Sequence, residues 1–142
     1  MLTHLYIKNF VLIDKLDIDF RPGFSVITGE TGAGKSIVLG AINLLLGQRA
    51  DSKVMKNNEE KCVIEAHFDI SQRSLEHIFE ENDLDYDKEQ CIIRREITPN
   101  GKSRAYINDT PAPLATLKTI GEYLIDIHSQ HKNLLINNFN LF

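Results

Sequence analysis

Gly29-Glu30-Thr31-Gly32-Ala33-Gly34-Lys35-Ser36 satisfies every position of the phosphate-binding pattern G-x-x-x-x-G-K-[ST]. At average residue frequencies the four fixed positions coincide by chance in well under about 1% of chains this long. The chemistry follows from the residue types. Backbone N–H groups can surround a polyphosphate only where glycines remove Cβ atoms and permit positive φ, which Gly29, Gly32 and Gly34 provide. Lys35 is placed to reach the β- and γ-phosphates of a nucleotide such as ATP, and the Ser36 hydroxyl to ligate Mg²⁺. The elements that must position these groups are legible on either side. Phe24 to Thr28 reads as an apolar strand, and Ile37 to Leu46 as an apolar helix. The N-terminal end of that helix contributes free N–H groups and a positive dipole to the same anion.

A second set of polar residues follows Tyr123-Leu124-Ile125-Asp126, an apolar run ending in a carboxylate. It reads either as a Mg²⁺-holding strand or, since Ile127 stands where a hydrolytic Glu belongs, as a core strand with a polar end. His128 and His131 have the spacing of metal ligands but lack a third partner. Gln130 would sit at the carboxyl end of that strand, where an amide can bind Mg²⁺ and orient water.

The rest of the chain reads mostly as strands. These are Leu2 to Ile7, a turn at Asn9 to Val11, Leu16 to Phe20, Cys62 to Ile70, Cys91 to Ile97 and Ser103 to Ile107. Val54 to Lys61 is expected to be a mobile charged loop, and Ser71 to Asn82 a short helix buried through Leu75, Ile78 and Phe79. Asn100-Gly101 predicts a type I′ hairpin turn. A helix is expected over Leu114 to Ile120, ended by Gly121, with Tyr123 to Ile127 as a last strand.

With 142 residues, 42% hydrophobic and 25% charged, the chain has ordinary globular composition and about one domain's length. No apolar run is long enough to span a membrane and Met1 to His4 opens no signal peptide, so a cytoplasmic protein is expected. Cys62 and Cys91, each inside an apolar stretch, read as buried thiols. The net charge of −4 gives no global drive toward nucleic acid, but Arg94, Arg95, Lys102 and Arg104 could form a local basic face.

Beyond the phosphate loop, the blocks Leu5 to Phe10, Leu45 to Asp51, Cys91 to Glu96, Ser103 to Asn108 and Leu124 to His131, in this order, closely resemble the N-terminal part of the RecN family. These are bacterial DNA double-strand-break repair ATPases related to the structural-maintenance-of-chromosomes (SMC) proteins. The resemblance implies an α/β fold: a P-loop NTPase, the N-terminal lobe of an ABC-type ATPase head, with a strand-rich mixed sheet around the Walker A helix. Residues 1–142 would form that one lobe. It implies ATP and Mg²⁺ as cofactors, Gly29 to Ser36 as the Walker A loop, and Gln130 as the Q-loop glutamine. Arg49 matches an arginine that in related heads contacts nucleotide or DNA. The implied partners are DNA, the chain's own C-terminal head lobe and a second head. Nucleoid association during repair follows from the same likeness. Val11 departs from the arginine common in related heads. No signature motif and no Asp-Glu strand end occur in the chain, so these 142 residues alone are expected to bind nucleotide weakly and hydrolyse it hardly at all. Two other readings stay open: a self-sufficient P-loop kinase using Asp126, and a DNA-binding module built on the basic strand pair.

Overall fold

The computed structural model describes residues 2–20, 32–50 and 52–125. Six strands form one sheet: β1 (Leu2–Phe10), β2 (Ile13–Asp19), β3 (Cys62–Asp69), β4 (Gln90–Ile97), β5 (Ser103–Ile107) and β6 (Thr110–Ala112). Their order is β2-β1-β3-β4-β5-β6, and every pairing is antiparallel. The period-2 alternation that identified the strands sets this register, because a slip of one residue would turn each apolar set to the opposite face. One row across the sheet is Ile18, Leu5, Ala66, Ile93 and Ile107; the next is Leu16, Ile7, Ile64, Arg95 and Ala105. All but Leu16 are buried. Each large aliphatic chain so placed contributes roughly 1.5–3 kcal/mol.

Three α-helices, α1 (Gly32–Leu45), α2 (Glu76–Glu81) and α3 (Leu114–Ile125), and a short 3-10 turn at Ser52–Val54 complete the described fold. Helix α1 lies against β3 and β4, and α3 against β5 and α1. Val38, Ala41, Ile42, Leu44 and Leu45 of α1 and Leu117, Ile120 and Leu124 of α3 join the core. The strand-rich sheet beside the Walker A helix is therefore present as expected. The strand expected over Phe24 to Thr28 lies outside the described residues.

Four expectations are corrected. First, Gly121 does not end α3, which runs on through Ile125, so Tyr123 to Ile125 is helical and not a strand. The glycine serves close packing: a Cβ there would stand 2.9 Å from Cδ2 of Leu46, just past the end of α1. Second, the β4–β5 turn is not type I′. That type requires positive φ at both Asn100 and Gly101, and it needs the preceding residue to donate its N–H across the turn, which Pro99 lacks; Asn100 does not take positive φ. The chain instead closes Gly101 N–H onto Thr98 O at 2.9 Å and places only Gly101 at positive φ, 85°. Third, Asn9 and Phe10 belong to β1, and the turn follows at Val11 and Leu12. Fourth, the polar stretch after Val54 is tied down. The side chain of Asn9 accepts from Asn57 N–H at 2.6 Å and donates to the carbonyls of Asn57 and Glu60 at 2.8 and 3.0 Å, while Met55 is buried.

Candidate nucleotide-binding site

The described part of the site is the start of α1. Gly32, Ala33, Gly34, Lys35 and Ser36 form its first residues, and Ser36 is exposed. The first four N–H groups of a helix have no acceptor within it and point along its axis toward any anion at that end. Gly29, Glu30 and Thr31 lie outside the described residues, as do Asp126, His128, Gln130 and His131.

The opposite end of α1 is anchored in three ways. Gly47, at φ 92°, closes the helix: its N–H reaches Leu44 O at 3.2 Å and the Gln48 N–H reaches Asn43 O at 3.4 Å, the paired bonds of a Schellman cap. Helix α3 presses on this cap so closely that a Cβ on Gly47 would stand 2.9 Å from Lys118 Cβ. The third anchor is Arg95. Although it sits in an apolar row of β4, it donates from Nη1 to Leu44 O at 2.8 Å and to Gln48 O, and from Nε to Ser103 Oγ at 3.1 Å. It is 1% exposed, and burial holds its guanidinium below the usual arginine range. Its charge faces the negative end of the helix dipole.

Arg49 follows directly. It is exposed and lies just beyond the C-terminal cap of α1.

The expected basic face is also corrected. Arg95 points into the core, so it cannot share a surface with Arg94. Arg94 is engaged on the opposite face by Glu65 at 3.5 Å, Glu96 at 3.1 Å and Asp109 at 3.5 Å, and its guanidinium lies 4.5 Å from the Tyr106 ring centroid. Alternation along β4 makes this unavoidable for adjacent residues. Glu96 additionally pairs with Lys61 at 3.3 Å. The two cysteines are buried as expected, and desolvation pushes the thiol of Cys62 up to about 11 and that of Cys91 up to about 12. Among the described residues no group of three or more His, Cys, Asp and Glu side chains could hold a metal ion. No described helix is long and apolar enough to cross a membrane.

Sequence reasoning missed Arg95 and Asn9 as organising residues. The signal for Arg95 was available: an arginine at an inward position of an alternating strand needs buried acceptors, and helix-end carbonyls supply them.

A phosphate-loop helix laid on a strand-rich antiparallel sheet defines the class: the N-terminal lobe of an ABC-type ATPase head. The RecF/RecN/SMC N terminal domain matches residues 1–128, and the chain belongs to that family. It is 45% identical over 132 residues to the DNA repair protein RecN of Vibrio cholerae, a match covering 92% of this chain and 24% of that protein. Identity to the Bacillus subtilis DNA repair protein RecN is 41% over 137 residues, covering 96% and 24%. The chain thus spans about a quarter of the length of these curated relatives. Among solved structures, an SMC ATPase from work on ATP-driven dimerization and DNA-stimulated activation superposes with TM-score 0.60 at 25% identity, over 84% of this chain and 76% of that one. The recombination mediator protein RecF shares the fold at TM-score 0.62 and 23% identity, over 82% and 29%.

Proposed function

We propose that residues 1–142 are the ATP-binding N-terminal lobe of a RecN-like DNA repair ATPase acting on double-strand breaks in the cytoplasm. The observation that carries this reading is the complete phosphate loop, Gly29 to Ser36, running into the first turn of α1 in a chain of this family. The residues fit the ligand. Gly32 and Gly34 carry no side chain in the first helical turn, and the free N–H groups there suit a polyphosphate. ATP would be held by Gly29, Glu30, Thr31, Gly32, Ala33, Gly34 and Lys35, with Ser36 and Gln130 on Mg²⁺. Bound Mg²⁺ supplies charge neutralisation at the β- and γ-phosphates. The remaining groups of a composite site would come from the C-terminal lobe of the same polypeptide and from a second head, closing around nucleotide while DNA is engaged. Arg49 would contact nucleotide or DNA.

The two alternative readings lose support. A self-sufficient kinase needs Asp126 on a strand end, whereas the residues up to Ile125 are helical. A DNA-binding module built on Arg94, Arg95, Lys102 and Arg104 needs all four on one free face; Lys102 and Arg104 are exposed, but Arg94 is held by carboxylates and Arg95 is buried on the other face.

Metal-dependent nucleotide binding tests the assignment. Ser36→Ala and Gln130→Ala should each lower the gain in ATP affinity that Mg²⁺ brings, leaving metal-free binding in place. Full Mg²⁺ dependence in both variants would remove them from the metal site.

A further inference from the structure

Arg95 is the one charged residue in the apolar row Leu16, Ile7, Ile64, Arg95 and Ala105. Among the described residues no carboxylate pairs with it, in contrast to Arg94 beside it. Its Nη2 is buried without a hydrogen-bond partner. A methionine of similar length would fill the same space without a buried charge or an orphaned donor, and replacing buried ionic groups by apolar ones is often neutral or stabilising. Its bonds therefore do something that packing alone would not. They run to one place, the carbonyls of Leu44 and Gln48, on either side of the Gly47 cap. The donor comes from β4, an interior strand hydrogen-bonded to β3 and β5, and Ser103 of β5 steadies the guanidinium plane.

We propose that Arg95 is a positioning residue for phosphate binding: by clamping the C-terminal end of α1 to the sheet's interior, it fixes the helix axis along which Gly32 to Ser36 present their N–H groups. The inference rests on the ATP reading above. A helix behaves as a near-rigid rod, so a clamp at one end controls direction at the other. A guanidinium suits the task because its planar fork can meet two carbonyls and a hydroxyl at once, which an ammonium cannot. A shift of the first turn by even 1 Å would misalign the anion-binding N–H groups, a displacement able to cost large factors in a positioned site.

The test uses this chain with Arg95→Met, Arg95→Lys, Ser103→Ala and Lys35→Ala, measuring the Kd for Mg·ATP by calorimetry and amide exchange in the ligand-free protein. Arg95→Met is expected to weaken ATP binding about tenfold and to speed exchange in the first turn of α1 as well as at Leu44 to Gln48. Arg95→Lys should recover part of the loss, since it reaches one carbonyl. Unchanged affinity and unchanged exchange at the first turn in Arg95→Met, with binding abolished in Lys35→Ala, would overturn the positioning role alone. Unchanged binding in Lys35→Ala would instead overturn the ATP reading. Should Arg95→Met fail to fold, Ser103→Ala and Arg95→Lys decide: the clamp requires weaker ATP binding and faster first-turn exchange in both, and wild-type behaviour in both refutes it.

Discussion

Replacing Asn9 isolates how a single side chain organises the region after α1. Asn9 is 3% exposed and adopts φ 55°, left-handed backbone that asparagine tolerates better than alanine. Its amide makes three hydrogen bonds, to Asn57 N–H, Asn57 O and Glu60 O. In Asn9→Ala those bonds vanish and part-buried main-chain groups lose their partners, at about 1 kcal/mol each. The left-handed backbone adds roughly 1 kcal/mol more. The sum, about 3–4 kcal/mol, is a large share of the 5–15 kcal/mol available to a domain. Asn9→Gly keeps the backbone conformation at no steric cost and should lose only the hydrogen-bond part, about 2–3 kcal/mol. Urea denaturation followed by circular dichroism reads both. With a slope of about 2 kcal/mol per molar, the midpoint should fall by roughly 1.5–2 M in Asn9→Ala and by less in Asn9→Gly. A shift below about 0.5 M in Asn9→Ala at unchanged slope would refute the view that Asn9 pins the 55–61 segment.

Gly47→Ala forces a side chain onto φ 92° and within 2.9 Å of Lys118 Cβ and 3.1 Å of Leu114 O, so thermal denaturation should show a loss of about 2–3 kcal/mol. Val11, a β-branched residue at φ 52° and 40% exposed, is strained, and Val11→Asn should stabilise by about 1 kcal/mol in the same assay. Cys62 and Cys91 should resist a thiol reagent at pH 8 and react only on unfolding. Because their folded values of about 11 and 12 lie above the ordinary 9.0, the folded state keeps protons that the unfolded chain releases. Their contribution is intact below about pH 9 and is lost as pH rises toward 11–12. Urea midpoints should accordingly fall across that window, and fall less in Cys91→Ala.

What could be read from sequence divides by how local its cause is. The strands Cys62–Asp69 and Gln90–Ile97 were visible because alternation is written into consecutive residues. The phosphate loop was visible because its chemistry demands fixed types at fixed spacing. Gly121 misled because a glycine after an apolar helix usually marks its end, whereas here it admits Leu46, just past the end of α1, a contact no local pattern records. The hairpin turn misled because Pro99, just before Asn100-Gly101, has no N–H to close a type I′ pair, so the cross-strand bond moves out to Thr98 N–H and Lys102 O. Arg94 and Arg95 looked like one basic patch until strand alternation separated them. The likeness of several blocks to a family carried the assignment of Gln130, which no described geometry places.

The central claim, that Gly29 to Ser36 binds nucleotide phosphate, is tested most directly by calorimetric titration of Mg·ATP into this chain and into Lys35→Ala. Weak but measurable binding by the wild-type chain, lost in Lys35→Ala, is the expected result. Equal binding by the two proteins would contradict it.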